Sequence, residues 1–187
     1  MYKLLLCLGS GVIAVDSFNS MSLSVRAAAL QQSHLIPTHK TSFAIAKADQ
    51  GAIVKQNKEL LITNRALARK IATKLGITST GDIPTSGTPL EQNQVLMLQN
   101  QETFKEIAIK VGATVPELTA PTGADVAEKN HNILLQNRTI VVGILKKLGI
   151  AVTPPPALAG TFVEKNNTLL VGNGKALAKI AAKLGVK

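Results

Sequence analysis

The chain has 187 residues, one cysteine and no tryptophan, and only 3% of its residues are aromatic. A single cysteine excludes an internal disulfide framework and a cysteine-cluster metal site. So few aromatic residues are unusual for a compact globular core, where they supply much of the buried area. The formal charge of +10 favours an anionic partner, or else a solvated basic face, and the sequence leaves both interpretations open.

The first 50 residues are unlike the rest of the chain. Lys3 precedes an apolar run over residues 4–15, which is too short to span a bilayer as a helix. No clean small-residue cleavage site follows the run, as it would in a signal peptide. We expect an irregular arm, with strand as one option, that anchors the chain in a larger assembly. The anchoring side chains are expected to be Leu4, Leu5, Leu6, Val12, Ile13 and Val15.

Four repeats of about 36 residues follow the arm, and they are marked by two sets of asparagines and by terminal glycines. The first set is Asn57, Asn93, Asn130 and Asn166, and the second is Asn64, Asn100, Asn137 and Asn173. The glycines are Gly76, Gly112, Gly149 and Gly185. The predicted repeats are residues 51–87, 88–123, 124–160 and 161–187.

Each repeat is predicted to hold one long helix. In the second repeat, Thr88 is a good N-cap, Pro89 suits the first helical position and Glu91 completes a capping box. Gly112 stands where a left-handed residue would end the helix. The third and fourth repeats carry similar caps, Asp125 with Glu128 and Thr161 with Glu164.

The first repeat has Ala52 in place of the cap, so its helix is expected to start earlier or to fray. Several lysines fall in the last helical turns, where they complement the helix macrodipole. They are Lys70, Lys74, Lys110, Lys146, Lys147, Lys179 and Lys183.

A heptad seam runs along every predicted helix, because seam residues recur at alternating spacings of three and four. The asparagines occupy two seam positions per repeat. The apolar seam residues are Val54, Leu61, Ile71, Leu75, Leu90, Met97, Phe104, Ile107, Val111, Leu134, Val141, Ile144, Leu148, Val163, Leu170, Leu177, Ile180 and Leu184.

A strand followed by a short helix is a competing interpretation of each repeat. Residues 60–62 begin a run that is apolar in all four copies, and Gly172 and Gly174 make the fourth copy poor helix sequence. The capping boxes and the unbroken seam favour the continuous helix.

The linkers between helices, residues 77–87, 113–124 and 150–160, are rich in Thr, Pro and Gly. About a dozen extended residues reach more than about 30 Å, and a helix of about 23 residues is about 34 Å long. A linker can therefore return to the start of its helix or continue onward, and the sequence does not choose between these paths.

The asparagine layers determine the predicted assembly. A buried asparagine without a partner costs about 1–3 kcal/mol, and a parallel, in-register arrangement lets each layer meet its own kind. The seams at residues 54–75, 90–111, 127–148 and 163–184 resemble the trimeric coiled-coil stalks of trimeric autotransporter adhesins and phage fibres. That resemblance implies a mainly α, segmented parallel coiled coil that forms a homotrimer. It also implies a chloride ion at the asparagine layers, and we expect no other cofactor. A bundle of the four helices within one chain is the alternative.

Recognisable catalytic motifs are missing from the sequence: there is no P-loop, dinucleotide-binding fingerprint, zinc-protease motif or nucleophile elbow. His34, His39 and His131 are scattered and are expected in surface or loop positions rather than as metal ligands. Residues 103–112 and 176–185 resemble one helix of LysM peptidoglycan-binding modules.

We therefore expect a non-enzymatic virion structural protein, a homotrimeric bacteriophage fibre or capsid-decoration protein. Its partners would be its own copies and, through residues 1–50, capsid or tail proteins, with no nucleic acid and no membrane span. One alternative is a LysM-like repeat protein that binds the cell wall or cell surface. The other is a monomeric helical-repeat scaffold for an anionic partner.

Overall fold

The computed structural model describes residues 39–154 and 157–186, with side chains from residue 49 onward. This part of the chain is mainly α-helical and contains no strand. Its four helices are α1 (His39–Lys74), α2 (Pro89–Val111), α3 (Val126–Lys147) and α4 (Phe162–Lys183). The bundle described below belongs to the compact unit Ala44–Lys187. The anchoring side chains predicted between residues 4 and 15 lie outside the described residues.

The helix starts confirm the predicted caps. Thr88 Oγ1 accepts from the Glu91 N–H at 3.3 Å, and Glu91 Oε2 accepts from the Thr88 N–H at 2.7 Å. The hydrogen bond from the Thr88 backbone holds the pKa of Glu91 below its ordinary value. Thr161 and Glu164 form the same box at α4, and Asp125 caps α3. Helix α1 has no cap near residue 52 and starts earlier, at residue 39.

The helix ends are equally regular, and they confirm the predicted terminal glycines. Gly112 is left-handed with φ of 73°, and the Ala113 N–H donates to the Ala108 carbonyl at 2.8 Å. This bond is typical of a Schellman motif, in which a residue beyond the left-handed glycine returns to the last turn. The same bond closes the other helices at Ile77, Ile150 and Val186.

Two side-chain hydrogen bonds show how α1 and α2 pack. Asn93 Nδ2 donates to the Val54 carbonyl at 3.1 Å, and Asn100 Nδ2 donates to the Leu61 carbonyl at 3.3 Å. Both partners advance by seven residues in the same direction, so α1 and α2 are parallel.

Hydrogen bonds from asparagine Nδ2 to a main-chain carbonyl also join the other adjacent helices. The donor and acceptor residues are Asn130 with Leu90, Asn137 with Met97, Asn166 with Ala127, Asn57 with Val163 and Asn64 with Leu170. The last two pairs connect α1 to α4 and close the ring. The chain thus forms a parallel four-helix bundle in which successive helices are neighbours.

The linkers return along the outside of the bundle. The Ser79 hydroxyl lies 2.9 Å from the Thr103 hydroxyl, and Gln99 Nε2 donates to the Asp82 carbonyl at 3.2 Å. Farther along, Gln92 donates to the Gly87 carbonyl at 3.0 Å. Along these three contacts the residue numbers rise in the linker and fall in the helix, so the linker runs antiparallel to α2. Of the two paths open from the sequence, the structure has the return path.

Helix α4 is continuous through Gly172 and Gly174. The described residues of this repeat therefore do not form a strand followed by a short helix. A Cβ at Gly174 would lie 2.6 Å from Asn64 Oδ1 of α1. The glycine therefore costs helix propensity but lets α4 and α1 approach closely.

The core lies on both sides of the second asparagine layer. Between the two layers pack Leu61, Leu96, Met97, Ile133, Leu134, Leu169 and Leu170. Toward the C-terminal ends lies a larger cluster that includes Ile71, Phe104, Ile107, Val141, Ile144, Leu177 and Ile180. Five seam residues near the helix ends are half-buried: Leu75, Leu90, Val111, Leu148 and Leu184. Within the described residues, no helix is long and apolar enough to cross a membrane.

Candidate functional site

The eight seam asparagines are all buried, with side chains 1–5% exposed. Seven of them donate through Nδ2 to main-chain carbonyls of a neighbouring helix: Asn57, Asn64, Asn93, Asn100, Asn130, Asn137 and Asn166. A carbonyl oxygen has two lone pairs, so it can accept this bond besides its own helical one. The asparagines therefore fix the axial register of adjacent helices without needing another asparagine as partner.

The amide oxygens of these layers are mostly unpaired. In the described part of the chain, Oδ1 is buried without a partner at Asn93, Asn100, Asn130, Asn137 and Asn173. A chloride ion needs donors, but seven of the eight Nδ2 donors are engaged with carbonyls, and the five unpaired oxygens are acceptors. The arrangement therefore differs from the chloride-holding layers that the resemblance implies.

The predicted homotrimer core also differs from the structure. The seam side chains expected to meet across three chains are buried between four helices of one chain. The helices are parallel and in register, as the asparagines indicated, but they belong to one chain, whose linkers return to the start of each following helix. A second chain is not required to cover the seam.

We expect the full chain to sediment as a monomer near its mass of 19.7 kDa, because the seam is already buried. Sedimentation equilibrium over a range of micromolar concentrations measures this. A trimer mass that persists on dilution would contradict the intrachain bundle and restore the sequence prediction.

An arginine that the sequence did not single out holds the first linker. Arg65 is only 5% exposed and donates to the carbonyls of Gly81 and Asp82, while Arg69 donates to Gly81 at 2.6 Å. Burial lowers the pKa of Arg65 from its ordinary value. Arg138 holds the equivalent position in α3 and donates to the Thr153 carbonyl at 3.2 Å. In the first and third repeats an arginine lies eight residues after the first seam asparagine. That recurrence could have indicated that these arginines bind the linkers.

His131 is a further correction, since it is buried rather than on the surface, at 9% exposure. Its Nδ1 lies 2.9 Å from Asn166 Oδ1, and its ring centroid lies 5.4 Å from that of Phe162. Asn166 uses Nδ2 to donate to Ala127, so His131 Nδ1 is the donor in this pair. Across the described residues, no cluster of three potential His, Cys, Asp or Glu ligands could hold a metal.

The C-terminal end of the bundle is basic, because four parallel helices bring their last turns to the same end. These turns carry no acidic residue, and five lysines lie there: Lys74, Lys110, Lys146, Lys147 and Lys183. The four helix C-termini together contribute a partial charge of about −2, which is smaller than the charge of the lysines. We call this surface the basic end.

The lysines of the basic end are solvent-exposed. Among the described residues, the single ion pair is Lys105 with Glu102, at 2.9 Å, and it lies outside the basic end. The first turns at the opposite end carry Glu91, Glu128 and Glu164. The opposite end therefore carries charges of both signs, since Lys129 and Lys165 stand beside Glu128 and Glu164. At the basic end, no described carboxylate pairs with the lysines.

Comparison with protein-family models, curated proteins and solved structures finds no match to this chain. The two LysM-like segments are the C-terminal parts of α2 and α4. Their recurring Ile-Ala pairs, Ile107 with Ala108 and Ile180 with Ala181, are buried in the bundle core. Core packing accounts for that recurrence.

Proposed function

We propose that this chain is a non-enzymatic scaffold module that docks through its basic end on an acidic protein surface of a larger assembly. The observation that carries the proposal is the gathering of five exposed last-turn lysines at one end of a parallel bundle. In a bundle of alternating helix directions the same residues would be divided between both ends.

The fold supports a positioning role. The asparagine bonds and the returning linkers hold the four helices in one register, so the spacing of the lysines is set by the fold. The low aromatic content, 3%, gives little of the stacking surface that single-stranded nucleic acid uses. An acidic protein surface is thus the partner that suits this end best.

We further propose that the larger assembly is a virus particle, in which the chain is a fibre or decoration protein. This placement derives from the resemblance of the sequence to phage fibre stalks. Anchoring through residues 1–50 remains a prediction of the sequence.

Replacing the five lysines of the basic end by glutamine should weaken binding to immobilised poly-L-glutamate by at least about tenfold, or about 1.4 kcal/mol. Binding of the unaltered chain should also fall as salt rises from about 50 to about 200 mM, since exposed charges are screened. Biolayer interferometry on the full chain measures both effects.

A matched control replaces five lysines elsewhere, namely Lys55, Lys58, Lys105, Lys129 and Lys165, and should bind almost as the unaltered chain does. Equal loss in the two variants would show that only net charge matters. Tighter binding to duplex DNA than to polyglutamate would also contradict the proposed partner.

A further inference from the structure

A cavity of about 520 Å³ lies in the groove between α3 and α4, beside the third linker. Helix α3 contributes Arg138, Val142 and Leu145 to its wall. Helix α4 contributes the opposite wall, which includes Val171, Gly172, Lys175 and Lys179. The volume falls in the usual range of small-molecule pockets, about 300–1,000 Å³.

The repeat pattern explains why there is space at this groove. Gln99 in α2 and Gln136 in α3 each lie six residues after the first seam asparagine of their repeat. Each donates to its linker, Gln99 to the Asp82 carbonyl at 3.2 Å and Gln136 to the Thr119 carbonyl at 3.0 Å. The equivalent residue in α4 is Gly172, which has no side chain to fill the groove.

The described wall of the cavity is amphipathic. Three cations, Arg138, Lys175 and Lys179, line it without a carboxylate among the described lining residues. Lys179 Nζ donates to Thr153 Oγ1 at 3.2 Å, while Lys175 makes no side-chain hydrogen bond within the described residues. The apolar part includes Leu145, which is 4% exposed, and Val171, which is 37% exposed.

We propose that this cavity binds a small aliphatic carboxylate. The carboxylate would meet Arg138, Lys175 and Lys179, since charge-assisted hydrogen bonds to a carboxylate are the strong ones. The aliphatic body would lie on Val142, Val171 and Leu145, out of water. This site is separate from the basic end and does not depend on its function.

The test is isothermal titration of the full chain with decanoate, below its micelle concentration. The unaltered chain should bind, and Gly172→Gln should weaken binding at least about tenfold, because the glutamine side chain fills the cavity. A Cβ at residue 172 meets only the flexible end of Arg138, at 3.2 Å, and glutamine favours helix more than glycine does. The variant should therefore melt no lower than the unaltered chain.

Two further measurements keep the result decisive. Lys175→Gln removes one cation without removing a described contact, and it should weaken decanoate binding severalfold even if Gly172→Gln folds poorly. Lys110→Gln, at the basic end, should leave binding unchanged. Failure of the unaltered chain to bind decanoate, unchanged affinity in Gly172→Gln, or equal binding of decyltrimethylammonium would each overturn the proposal.

Discussion

Deleting seven residues from the linker between α2 and α3 is expected to abolish the native bundle, whereas inserting seven is expected to be tolerated. Helix α3 has 22 residues and is about 33 Å long. The linker, residues 112–125, has to cover that distance because α2 and α3 are parallel. Seven remaining residues reach only about 25 Å, so they cannot join the two helices in this register.

Insertion should lower the free energy of unfolding much less than deletion does. Lengthening a flexible loop by half raises its closure free energy by less than about 0.6 kcal/mol. Deletion of residues 114–120 also removes Val115 and Leu118, which pack against the core. A third variant with Gly and Ser at the same seven positions separates the loss of those contacts from the loss of length.

Circular dichroism melting curves of the three variants distinguish the possibilities. The insertion and Gly/Ser variants should unfold cooperatively, the latter at a lowered temperature, and the deletion variant should not. If the deletion variant melts like the unaltered chain, α2 and α3 are an antiparallel hairpin and the parallel bundle is wrong.

The helix limits were predictable because local chemistry sets them. Thr88 with Glu91 closes a capping box inside four residues, and Gly112 supplies the left-handed conformation that ends the helix. Neither feature depends on what the helix packs against. The same reasoning found the early start of α1, where Ala52 cannot cap.

The number of helices in the bundle was not evident from the seam alone. A strict two-position seam favours a coiled coil, and a wider apolar stripe favours a bundle. The wider stripe is present in the sequence. Leu96, Ile133 and Leu169 stand three residues after the first seam asparagine and are at most 2% exposed, and Leu60 holds this position in α1. This third apolar position per heptad is the signal that would have favoured the bundle.

The partners of the asparagines could not be predicted from side-chain patterns. The sequence suggested that asparagine would meet asparagine, but Asn100 and Asn137 instead reach the carbonyls of Leu61 and Met97. Every residue has a carbonyl, so such an acceptor leaves no pattern in the sequence. Topology was open for a related reason, because a linker of a dozen residues suits a returning path and an onward path equally.

Asn137→Asp is expected to lower the free energy of unfolding at pH 7 by about 3–5 kcal/mol, the usual cost of an uncompensated buried charge. Asn137 is 1% exposed, and its Nδ2 donates to the Met97 carbonyl at 3.0 Å. An ionised aspartate has no donor and would place a negative oxygen against that carbonyl. Since many domains have only about 5–15 kcal/mol of stability, this single change should be among the most damaging in the chain.

The pH dependence of the variant tests the same geometry. Burial raises the pKa of an aspartate above its unfolded value of about 3.9, and the protonated form can donate to the Met97 carbonyl. The variant should therefore be most stable below about pH 4, lose stability as pH rises to the raised folded pKa, and level off above it.

Gln56→Glu makes the same charge change at an exposed residue and keeps the oxygen that accepts from Asn167. Urea unfolding of both variants between about pH 4 and pH 8 should show a large pH-dependent loss only for Asn137→Asp. Near-normal stability of that variant at pH 7 would mean that Asn137 is not enclosed between the helices, and the register assigned to the asparagine layers would fail.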